Sequence, residues 1–126
     1  MTRASAAAVT AANNGLIGVG STNVVPDIAL HVGDPGTTGA NENANSGGYV
    51  RQATSWTASG AGTGNPATNS TSLTFSTGGT VAVSYWGGWS SAVYGGGTYA
   101  IGGPLGVTVT AASITAASGA LGLQSA

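Results

Sequence analysis

Ile28-Ala29-Leu30-His31-Val32-Gly33-Asp34-Pro35-Gly36-Thr37-Thr38-Gly39-Ala40-Asn41-Glu42 decides the fold. Ile28, Leu30 and Val32 alternate with Ala29 and His31, which is the period of a half-buried β-strand. Alternation sets His31 opposite the three aliphatic side chains, facing solvent or a neighbouring subunit. Asp34-Pro35-Gly36 then turns the chain: Asp accepts from nearby backbone, Pro sets φ and Gly supplies positive φ. A strand therefore runs into a long polar loop, and β-structure is the frame for the rest.

Upstream, Pro26 marks the start of the strand, because it cannot donate to a ladder. Ser5 to Asn14 is the helical candidate: Ser5 caps it, five alanines favour it and Asn13-Asn14-Gly15 ends it. Residues 1–23 are thus expected as a short helix or an extended arm, and 24–126 as the folded domain. Met1 to Val9 lacks the long apolar stretch of a secretory leader.

Downstream, Tyr49 to Thr57 alternates again, with Val50, Gln52, Thr54 and Trp56 on one side and Tyr49, Arg51, Ala53 and Ser55 on the other. Strands are expected at Ser72–Thr77, Thr80–Trp86 and Ala92–Tyr94. Gly78-Gly79 reads as a two-residue hairpin between the first two. The tail offers Leu105–Thr110, Ser113–Thr115 and the pair Leu121 and Leu123. Turn signals recur every 8–12 residues or so, the spacing of an all-β sandwich or barrel. We expect a single-domain antiparallel β-sandwich, jelly-roll-like in plan.

Composition narrows the function. The chain has 126 residues, no cysteine and only 4% charged residues, with net charge −1; an ordinary domain carries about 25% charged residues. Its ionic inventory is Arg3, Arg51, Asp27, Asp34 and Glu42. Two basic residues do not make an electrostatic nucleic-acid surface. No apolar run approaches the roughly 20 residues of a membrane span. Disorder fits poorly with 41% hydrophobic residues and almost no net charge. Such a chain is solvated by Ser, Thr and Asn, or hides surface against partners.

The scarce ionisable residues gather where catalysis or metal binding would sit. His31 with Asp34 and Glu42 resembles a His–carboxylate pair, and Asp34, Asn41, Glu42 and Asn43 offer calcium-type oxygens. The spacing matches no calcium loop, and no Gly-x-Ser-x-Gly context or phosphate-loop lysine accompanies them. We therefore expect no catalytic residue, no metal and no cofactor. Arg51 is expected to pair with Asp34 or Glu42, tying the long loop to the sheet. Trp86, Trp89, Tyr94 and Tyr99 alternate with glycines. They read as core or subunit contact, or as a carbohydrate-stacking platform.

Ala29-Leu30-His31-Val32-Gly33-Asp34-Pro35-Gly36 with Gly39-Ala40-Asn41-Glu42 resembles the "LHTADPG…GANE" segment of a family of small β-rich virion proteins of actinobacterial phages. Gly48-Tyr49-Val50-Arg51-Gln52 is similar to that family's Gly-Tyr-x-Arg-Gln segment. Val81 to Gly97 and Val107 to Leu123 resemble its later blocks. Members are often labelled tail fibre proteins, and similar small proteins decorate capsids. The resemblance implies a non-enzymatic β-sandwich built into a virion. With the low charge, it leads us to expect a capsid decoration or minor capsid protein, a homotrimer cementing the major capsid protein. The alternatives are a tail or tail-fibre component, and a virion-surface carbohydrate-binding module contacting host glycans.

Overall fold

The computed structural model describes residues 17, 23–44, 47–57, 67–79 and 81–123. Among them there is no helix; the elements are β1 (Asp27–His31), β2 (Gln52–Ala53), β3 (Trp56–Thr57), β4 (Ala67–Asn69), β5 (Leu73–Ser76), β6 (Val83–Trp89), β7 (Tyr99–Val109), β8 (Ser113–Ala116) and β9 (Gly122–Leu123). All pairings are antiparallel. They form a four-stranded sheet β2-β1-β6-β7, a three-stranded sheet β3-β4-β9 and a two-stranded sheet β5-β8. The inner face of the four-stranded sheet, with Ile28, Leu30 and Trp86, packs on Leu73, Phe75, Ile114 and Ala67 of the other two and on Leu121 just before β9. This is the expected sandwich, with its second layer divided. The N-terminal helix or arm expected over 1–23, Ser5–Asn14 included, lies outside the described residues apart from Ile17 and Asn23.

β1 is central, and every one of its five residues is buried. One edge pairs with β6 from Asp27↔Trp89 to His31↔Tyr85. The other pairs with β2 only at Asp27 and Ile28. Beyond that point the chain's own loop takes over. Val32 N donates to Asn41 O at 2.8 Å and Asn43 N to Leu30 O at 2.8 Å, while Leu30 N donates to the Tyr49 hydroxyl at 3.0 Å. Buried backbone groups need partners, and this edge finds them in two loops instead of a full strand.

Several expected elements differ. Tyr49–Thr57 is not one strand; it breaks into β2 and β3, and Thr54 N turns to Pro26 O at 2.9 Å. Gly78-Gly79 is a turn with φ of 80° and 76°, but not a hairpin: β5 pairs with β8, and β6 lies in another sheet. Leu73 and Phe75 find their partners at Ala116 and Ile114, so long-range apolar packing overrides the local signal. Ala92–Tyr94 belongs to the β6–β7 loop. Conversely Gly87 and Gly88, beyond the end of the strand expected over Thr80–Trp86, are strand residues paired with Ala29 and Ile28. A Cβ on Gly87 would collide with the His31 ring, and one on Gly88 would stand 2.8 Å from Val25 Cγ1. Glycine is there because both faces of β6 are covered closely.

Candidate functional site

The face of the four-stranded sheet turned away from the core carries His31, Gly87 and Trp89, with Tyr99 beside them on β7. An ordinary antiparallel sheet leaves this face to water. Here residues 33–43 and 90–98 fold over it. Strand alternation placed His31 correctly opposite Ile28 and Leu30, yet His31 is 0% exposed. It therefore faces neither solvent nor a neighbouring subunit, because the covering loops, which alternation does not reveal, lie between.

Arg51 holds these loops. Its Nε donates to Glu42 Oε2 at 2.9 Å and its Nη2 to Glu42 Oε1 at 2.7 Å, a bidentate pair. Nη1 donates to Ser91 O and to Gly96 O, both at 2.9 Å. The guanidinium lies over the Trp89 ring, 3.9 Å from its centroid, a cation–π contact worth about 2 kcal/mol when desolvated. One side chain thus joins the first loop through Glu42, the second through two carbonyls, and β6 through Trp89. Asp34, the alternative partner, stays exposed, where its Oδ1 accepts from Gly36 N at 2.8 Å. Asp34 and Glu42 therefore turn apart. Asn41 Nδ2 donates to Asp34 O at 3.0 Å, while both Glu42 oxygens are taken by Arg51.

Glu42 is also the acceptor for the Tyr49 hydroxyl at 3.1 Å, while that hydroxyl accepts from Leu30 N. Burial and the adjacent Glu42 carboxylate push the Tyr49 hydroxyl far above its usual range, so it remains a neutral donor. Sequence reasoning placed Tyr49 on a polar strand face and missed this role; its place beside Arg51 in Gly48–Gln52 was the available signal. Tyr49→Phe removes the side-chain acceptor of Leu30 N and a donor to Glu42. We expect a loss of about 1–3 kcal/mol, read as a lower denaturation midpoint with unchanged slope.

His31 packs parallel to Trp89, with ring centroids 6.4 Å apart and an interplanar angle of 4°, and edge-on to Tyr99. Its Nδ1 lies 2.7 Å from Ala40 O. A carbonyl only accepts, so Nδ1 carries the proton. Nε2 is buried without a protein partner among the described residues. Burial lowers the His31 pKa; the Ala40 carbonyl and Glu42 oppose this and Arg51 adds to it. The folded state therefore holds the neutral ring. The unfolded chain takes up a proton first as pH falls below the ordinary value of 6.5, so this contribution to stability is complete above that pH and is lost below it. Thermal melts stepped from neutral to mildly acidic pH should show this fall, and His31→Gln should flatten it.

The four aromatic residues do not share a surface. Trp86 is a core residue at 2% exposure, tilted against Trp56 at 5.9 Å. Trp89 lies on the opposite face beneath Arg51, and Tyr99 meets it edge-on at 5.5 Å. Tyr94 alone is exposed, with its ring set against Tyr49 at 6.4 Å. A platform built from Trp86 and Trp89 is ruled out, because alternation along β6 sends them to opposite sides.

Within this arrangement the charges of Arg51 and Glu42 are spent on each other. A search of curated proteins finds no match to the chain. A family model does match, over residues 19–123, with the description Podophage GP4 fiber I protein gp80. That match takes in the first loop, Arg51, the β6–β7 loop and both layers of the sandwich, and on it the chain belongs to this family of phage fibre proteins: it is a virion structural protein, not an enzyme.

Proposed function

We propose that the protein is a structural component of the phage tail fibre. The observation that carries this reading is the fibre-family match across 19–123. The scarcity of charge, which pointed to a capsid decoration role against the major capsid protein, serves a fibre equally well. In either setting, copies pack through Ser-, Thr- and Val-bearing faces without desolvating ions. The clamp is compatible with the same reading, since it ties two loops to the sheet. We also propose that the chain assembles with itself, a homotrimer being the expected form. The motifs shared with the actinobacterial phage proteins, Ala29–Glu42 and Gly48–Gln52, supply Glu42 and Arg51, so we take the clamp as what the two groups have in common.

Immunogold labelling of intact virions tests the location. Label confined to the tail is expected. Label spread over the head shell would overturn the fibre reading in favour of capsid decoration.

A further inference from the structure

His31 is the chain's single histidine, and its surroundings do not accommodate a second proton. The residue is 0% exposed, and its Nδ1–H is committed to Ala40 O. On the other side of the ring, Nε2 lies so close to Gly87 that a Cβ there would collide with it. The edge of the Tyr99 ring borders the same spot, with Cε1 3.2 Å from that Cβ position, while the Tyr99 hydroxyl lies over Gly102. Nε2 has no protein partner among the described residues. A proton on Nε2 would turn a buried acceptor into a buried, charged donor whose hydrogen points at carbon.

The charges nearby do not offset this. Glu42 is bridged to His31 across the first loop, and its carboxylate favours the proton. Both of its oxygens are already bonded to Arg51, and one also to the Tyr49 hydroxyl. The Arg51 guanidinium covers Trp89, the ring parallel to His31, and opposes a second cation. The other elements bring no charge to the ring. Asp27 is four residues back on the same face of β1, about 13 Å along the strand. Asp34 of the first loop is exposed and accepts from Gly36 N. Tyr85 on β6 is the register partner of His31, Tyr99 on β7 meets it edge-on, and Tyr94 of the second loop is set against Tyr49.

The cover over His31 is thin. Residues 33–43 are joined to the sheet through Asn41 O, Asn43 N, Ala40 O and the Glu42 carboxylate. Arg51 holds residues 90–98 through Ser91 O and Gly96 O. The core, with Ile28, Leu30, Phe75 and Ile114, lies on the other face of β1. Lifting the two loops therefore brings water to the imidazole and leaves the core closed.

We propose that the two loops form an acid-released strap: they close over neutral His31, and protonation of His31 holds them open while the sandwich beneath stays folded. Opening takes up one proton. Below the ordinary histidine value of 6.5, the open fraction should therefore rise roughly tenfold per pH unit until the closed form itself titrates. The linkage is reciprocal, so whatever loosens the strap raises the pH at which His31 takes up its proton. The strap belongs to the chain and does not depend on where the protein sits in the virion.

Amide hydrogen exchange on the untagged chain, corrected for intrinsic rates, tests this from about pH 7.5 to about pH 5. Protection across 33–43 and 90–98 is expected to fall roughly tenfold per pH unit below 6.5, while β5 and β8 stay protected. In His31→Gln, whose amide donates to Ala40 O without titrating, that slope should vanish. The single histidine also gives one imidazole signal in proton NMR, and its titration should coincide with the shift of the loop amides. Three results would overturn the proposal. Loop protection could stay flat with pH in the wild-type chain, β5 and β8 could lose protection in step with the loops, or His31 could titrate at its ordinary value with the loop amides unmoved.

Discussion

Arg51→Ala is expected to cost about 3–5 kcal/mol, the penalty for leaving one charge of a buried pair without its partner. The side chains of Arg51 and Glu42 are 0% and 9% exposed, so water does not replace what is lost. Four hydrogen bonds disappear, and Trp89 loses the cation on its face. For a chain of this length the melting temperature should fall by roughly 10 °C or more. The damage should also be local before it is global. Ser91 and Gly96 lose their anchor, so hydrogen exchange across 90–98 should quicken more than across β5 and β8. Arg51→Met with Glu42→Leu separates the causes. With no charge left buried, the double variant should recover part of the loss; the shortfall belongs to the two loop carbonyls, the Tyr49 hydroxyl left without its acceptor and the lost cation over Trp89. An unchanged midpoint for Arg51→Ala would mean that the pair is solvated.

Gly39→Ala is the second large effect. Gly39 has φ +75°, and a Cβ there would stand 2.5 Å from Trp89 Cζ2 and 2.9 Å from Tyr99 Cβ. The indole cannot retreat, because Arg51 covers its face and His31 packs parallel to it. Strain at positive φ and overpacking together should cost roughly 2–5 kcal/mol. Gly36→Ala is the matched control. Its φ is +59° with nothing within 4 Å of the new Cβ, so it should show backbone strain alone, about 1–2 kcal/mol. Comparing the two by denaturant melts isolates the contact with Trp89. Equal losses would sink the claim that the first loop is seated on that ring.

The fold class was legible because it rests on short-period pattern. Ile28 and Leu30 on β1, Leu73 and Phe75 on β5, and Ile114 on β8 announced themselves by alternation. The pairing of β5 with β8 was not legible, because the local Gly78-Gly79 signal pointed to β6 and only the packed core decides between partners. At the site, the chain's few ions made a pair between Arg51 and Asp34 or Glu42 foreseeable by elimination. The burial of His31 was not foreseeable. It follows from loops folding back over a sheet face that alternation marks as outward, and polar, glycine-rich loops give no sign of where they will lie. Gly39 and Gly87 were visible as glycines, but what makes them necessary is a ring contributed from a distant part of the chain.

The sequence has no lysine, and its two arginines are Arg3 and Arg51. Arg51 is 4% exposed, with its guanidinium enclosed between Glu42 and Trp89. A trypsin-like protease therefore meets no cleavable bond within the described part of the folded molecule. Cutting at Arg51 requires that the clamp open first. That gives the native structure resistance to a common class of digestive enzyme, and makes a single cut, at the Arg51–Gln52 bond, a direct count of molecules that have unfolded.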